Sequence, residues 1–82
     1  MTRSERSEKL METVSTILGM PVFEITDDTS PDNVGSWNSV AHLNLVVALE
    51  ESFGIAFSPD ETMELTSIRL IELMLDEKLG AS

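Results

Sequence analysis

Ser39 and His42 stand three positions apart in the stretch Trp37-Asn38-Ser39-Val40-Ala41-His42. On a helix that spacing puts a hydroxyl and an imidazole on one face, the pairing by which a general base activates a serine nucleophile. The pair lacks an orienting acid, because one turn beyond His42 stand Leu45 and Val46. Two other readings need no base. A serine at a helix start accepts a backbone N–H bond as a cap, a job that Ser36 or Asn38 can also do. A serine freed from capping displays its hydroxyl at the positive end of the helix, where phosphate groups are favoured.

Other chemistry is thinly supported. Asp28, Ser30 and Asp32 alternate as calcium ligands do, but Pro31 interrupts them and the twelfth position from Asp28 is Ser39 rather than a bidentate glutamate. With no cysteine and one histidine, the chain has neither a disulfide framework nor a thiolate, nor a multi-histidine metal site. Fifteen acids against five bases give a formal net charge of −10. The bases are Arg3, Arg6, Lys9, Arg69 and Lys78, so none lies between residues 10 and 68, where ten acids stand. Such a surface repels nucleic acid and anionic membrane and attracts proteins with basic patches.

The elements that must position Ser39 follow from periodicity. Leu10, Val14, Ile17 and Leu18 mark one face of a first helix, about 5–18, stopped by Gly19 and Pro21. Residues 19–36 form a long connection rich in turn residues, with Val22, Phe23 and Ile25 expected to pin it to the core. The second helix is expected over about 39–53, with Val40, Leu43, Val46, Val47, Leu49 and Phe53 as its apolar face and Gly54 as its stop. Ser58, Pro59, Asp60 and Glu61 open a brief helix at about 59–64. A last helix near 67–79, capped by Thr66 or Ser67, carries Ile68, Ile71, Leu75 and Leu79. Residues 1–82 thus read as a single domain, an all-α small four-helix bundle with a long first loop. A chain this short buries only roughly 60–65% of its unfolded surface, too little for a deep catalytic cleft.

The stretch "WNSVAHLNLVVALEESFGIAFSPDE" resembles the acyl carrier protein signature, in which Asp-Ser-Leu opens the second helix. Asn38, Ser39 and Val40 stand at that triplet, followed by "ALEE" at 48–51, Phe53-Gly54 and "FSPDE" at 57–61. Thr66-Ser67-Ile68 resembles the start of the family's fourth helix, and the likeness runs from about residue 10 to 79. The resemblance implies a 4′-phosphopantetheine arm on Ser39, transferred from coenzyme A and flanked by Asn38 and Val40. Its terminal thiol holds an acyl, polyketide or aminoacyl group as a thioester. It implies a non-catalytic carrier whose partners are a phosphopantetheinyl transferase, a loading ligase, and synthase or transferase enzymes. Glu50 and Glu51 match the family's acidic pair, which docks on basic patches of those enzymes.

The match departs at Asn38, where the family usually has aspartate, and at Ala41 and Asn44, where fatty-acid carriers tend to have acids. The first turns of the second helix are therefore nearly neutral. That favours a specialised lipid or secondary-metabolite carrier over a housekeeping one. An unmodified adaptor of carrier fold, which only binds a partner, is the alternative. "MTRSERSEKL" lacks the apolar stretch of a signal peptide and no run approaches the ~18 apolar residues of a membrane span. A cytoplasmic monomer is expected.

Overall fold

The computed structural model describes residues 3–80. Four α-helices follow one another, α1 (Arg3–Leu18), α2 (Ser39–Phe53), α3 (Pro59–Glu64) and α4 (Ile68–Leu79), and one 3-10 turn, Val22–Glu24, lies in the first connection. No strand occurs among the described residues.

The first helix starts earlier than its apolar pattern, which opens only at Leu10. The reason is Arg6, which is buried and pairs with Asp76 of α4. Arg6, Leu10, Val14 and Leu18 make one stripe at four-residue spacing, all buried, with a cation at its first position. Gly19 ends the helix with φ +66°, and the N–H groups of Gly19 and Met20 both reach the carbonyl of Ser15.

The connection is fastened less by apolar residues than expected. Ile25 reaches the core, but Val22 is exposed and Phe23 is 86% exposed. In a 3-10 turn, three residues per revolution fan outward, so apolar neighbours in sequence do not share one contact. Backbone bonds do the fastening. The carbonyls of Thr29 and Asp27 accept from the N–H groups of Ile68 and Arg69 at 3.0 and 3.1 Å, answering donors that α4 leaves unpaired at its start. Thr29 is buried, and its Oγ1 accepts from the Thr26 N–H at 2.9 Å. Ser67 is the α4 cap, its Oγ accepting from the Leu70 N–H at 3.2 Å.

The single apolar face expected on α2 is two faces. Leu45, Val46, Leu49 and Phe53 enter the core, while Val40, Leu43 and Val47 are exposed. So broad an apolar arc exceeds what α1 and α4 can cover from one side. Ile68, Ile71 and Leu75 of α4, with Leu65 from the turn before it, complete the core against Leu10, Val14 and Leu18. Leu79 lies at its frayed edge and is exposed.

Candidate attachment site at the start of the second helix

The long connection delivers Trp37 to the interior, 3% exposed, with its backbone N–H bonded to the carbonyl of Val34 at 3.0 Å. The next residue turns the chain. Asn38 holds extended backbone, φ −96° and ψ −175°, and its Oδ1 accepts from the Ala41 N–H at 2.9 Å. Its carbonyl accepts from the His42 N–H at 2.8 Å. Asn38 is therefore the N-cap, and Ser39 is the first residue of the helix. The Ser39 side chain is exposed and is relieved of the capping role that competed for it.

Ser39 opens onto a groove of about 560 Å³ between the start of α2 and α3, lined among others by Trp37, His42, Leu43, Met63 and Leu65. Its lining holds no acid or base apart from the imidazole of His42. Val40 lies on the outer face beside Ser39, 68% exposed.

His42 does not pair with Ser39. The Trp37 Nε1–H donates to His42 Nδ1 at 3.1 Å, and His42 Nε2 lies 2.9 Å from the carbonyl oxygen of Thr62. A carbonyl only accepts, so Nε2 carries the proton and Nδ1 offers its lone pair, which is the neutral tautomer. The two rings stack at 6.2 Å and 22°. In the sequence His42 suggests a base for Ser39, and no periodicity pairs it with Trp37. Their five-residue separation across a helix start was the available signal for a side-chain bond.

The acidic pair is unequal. Glu50 is half-buried, and its carboxylate accepts from the Phe57 N–H at 2.8 Å, bracing the turn between α2 and α3. Glu51 is exposed. Ser58 and Glu61 form a reciprocal capping box at the start of α3, and Glu61 also meets Lys78 of α4 at 2.9 Å. The Ser58 N–H, then Lys78, hold the Glu61 carboxyl below its ordinary value. In the loop where Asp28, Ser30 and Asp32 alternate, Asp28 faces Arg69 at 3.3 Å.

A phosphopantetheine fits this corner. It needs a displayed hydroxyl, a helix N-terminus to favour its phosphodiester and a neutral groove for an uncharged chain, and all three are present. Residues 8–75 match the family described as "Phosphopantetheine attachment site". The chain is also 32% identical over 73 residues to "Polyketide-8 synthase acyl carrier protein 2" of Streptomyces avermitilis, covering 89% of this chain and 84% of that protein. Carriers of this family work with synthases, transferases and a phosphopantetheinyl transferase. The chain belongs to the phosphopantetheine-attachment family, and it is an acyl carrier protein that holds its intermediates on a covalent 4′-phosphopantetheine arm.

Proposed function

We propose that Ser39 is the attachment point and that this carrier, itself without catalytic activity, serves a specialised secondary-metabolite or lipid pathway in the cytoplasm. The observation that carries the assignment is the division of labour at the corner: Asn38 caps α2 and leaves the Ser39 hydroxyl exposed above the groove. In the attachment step the Ser39 oxygen bonds to the pantetheine-bearing phosphorus of coenzyme A. The bond from that phosphorus to the 3′,5′-ADP leaving group breaks, and the hydroxyl proton passes to the transferase. The bound arm supplies a thiol on which cargo is held as a thioester, chemistry that a chain without cysteine lacks. The protein's own residues bind, orient and present.

Docking on this reading uses the outer face of α2. Val40, Leu43 and Val47 lead along it to Glu51, so an apolar stripe ends in an exposed acid. Glu50 contributes charge at the margin while it braces Phe57. The neutral first turns, and the polyketide synthase carrier among its relatives, favour dedicated partners over those of general fatty-acid synthesis.

Incubation with coenzyme A, Mg²⁺ and a broad-specificity transferase tests both points. Wild type should gain the mass of one phosphopantetheine and Ser39→Ala should gain none. Modification that persists in Ser39→Ala removes Ser39 from the role. In the same assay Glu51→Lys should raise the transferase KM several-fold with kcat little changed, and added salt should narrow the difference.

A further inference from the structure

We propose that His42 is a positioning residue for the arm, acting as a proton-sensitive clasp between Trp37 and α3; this rests on the reading of Ser39 as the attachment point. α3 buries no side chain of its own. The Thr62 carbonyl, in the last turn of α3, accepts a long bond from the Leu65 N–H at 3.4 Å and a shorter one, at 2.9 Å, from His42 Nε2–H across the groove. The other ring nitrogen holds the indole of Trp37. One imidazole therefore joins the end of the long connection, the first turn of α2 and the body of α3, and Trp37, His42 and Thr62 all line the groove onto which Ser39 opens.

Only the neutral ring can do this. A proton on Nδ1 turns the acceptor into a second donor facing the Trp37 N–H, while the bond from Nε2 to Thr62 survives. Protonation thus detaches Trp37 selectively and loosens the wall of the groove beside Ser39. The charged groups on the surrounding elements are few. The loop carries Asp32 next to Pro31, α3 carries Asp60, Glu61 and Glu64, and α2 has no carboxylate before Glu50. Glu61 is engaged with Ser58 and with Lys78 of α4.

Trp37 is the sole tryptophan, so its indole N–H resonance and its emission report the clasp without ambiguity. In the apo protein, titrated from about pH 8 to about pH 5, both signals should change together in one single-proton step. His42→Gln offers an amide oxygen to the indole and an N–H to Thr62 but cannot titrate, and all the neighbouring acids remain. Its signals should stay flat and close to those of neutral wild type. Trp37→Phe supplies a second check, since the pH response of the Met63 methyl resonance should disappear with the indole.

With an acyl group on the arm, the shift that acylation induces in the Met63 and Leu43 methyls should be lost at acid pH in wild type and kept in His42→Gln. An indole signal that is flat in wild type, or that titrates equally in His42→Gln, overturns the clasp. A clasp that titrates while the methyl shifts persist at acid pH overturns its role in positioning. Failure of the protein to accept an arm at Ser39 would instead sink the attachment reading, and the apo titration would still decide the clasp.

Discussion

At the corner where the long connection becomes α2, two adjacent residues have divided work that one residue often does alone. Asn38 accepts the Ala41 N–H, and Ser39 keeps its hydroxyl. An asparagine caps about as well as an aspartate, and it sets no negative charge beside a phosphodiester. Replacing it by alanine strands the Ala41 donor and should cost about 1 kcal/mol, read as a lowered urea midpoint with an unchanged slope. Asn38→Asp should leave the midpoint nearly unchanged. If a carboxylate here helps a transferase hold its Mg²⁺, the same variant should be modified faster. A corner whose stability falls equally in both variants would be held by something other than the side-chain oxygen.

Among the elements, α3 depends most on polar links. It is one and a half turns long, far below the length at which a helix stands alone in water, and none of its side chains is buried. The capping box, the Glu61–Lys78 pair and the His42 bond hold it in place. The Glu61 carboxyl lies below its ordinary value in the fold, so it stabilises the folded state at pH above its unfolded value. That contribution fades as pH falls through the folded value. Glu61→Gln keeps an acceptor for the Ser58 N–H and loses the charge, so its melting temperature should lie below wild type near neutrality. The gap should close as pH is lowered from about 6 to about 3. A gap that stays constant would mean that shape, not charge, sets the contribution. The four helices were legible because caps and stops sit at their ends: Ser58 with Pro59, Gly19 and Gly54. The split of the α2 face was not. Val40, Leu43 and Val47 carry the same apolar side chains as the core residues, and only the positions of α1 and α4 decide which arc is covered. Nor was the clasp, because a bond between an indole and an imidazole leaves no periodic trace.

For the whole molecule, the problem is how a chain with so thin a core closes on itself. Its radius of gyration, 11.6 Å, is what a compact chain of this length should have, roughly 2.2·N^0.38 Å. Part of the closure is ionic. Arg6, 5% exposed on α1, reaches Asp76, 21% exposed on α4, and joins the first helix to the last across 70 residues of sequence. Such a pair leaves no mark in the apolar periodicity because neither partner is apolar, although Arg6 falls on the buried stripe of α1. The guanidinium Nε has no hydrogen-bond partner among the described residues, so the ion depends on compensation from its other nitrogens. Glu72 lines the same recess as Arg6 and Asp76. Removing one member of a buried pair strands a charge, whereas replacing the ion by an apolar side chain of similar volume strands none. Asp76→Asn should therefore cost about 3 kcal/mol, the low end for a buried pair because Asp76 is partly wet. Arg6→Met should cost clearly less, since the methionine fills the stripe between the helix start and Leu10 and leaves Asp76 near solvent. Urea midpoints of the two variants and of their combination decide the matter. The double variant should resemble Arg6→Met, because an asparagine opposite a methionine has no charge to strand. The reverse order would put the cost in lost packing around the arginine stem, and would make the closure of this fold hydrophobic from end to end.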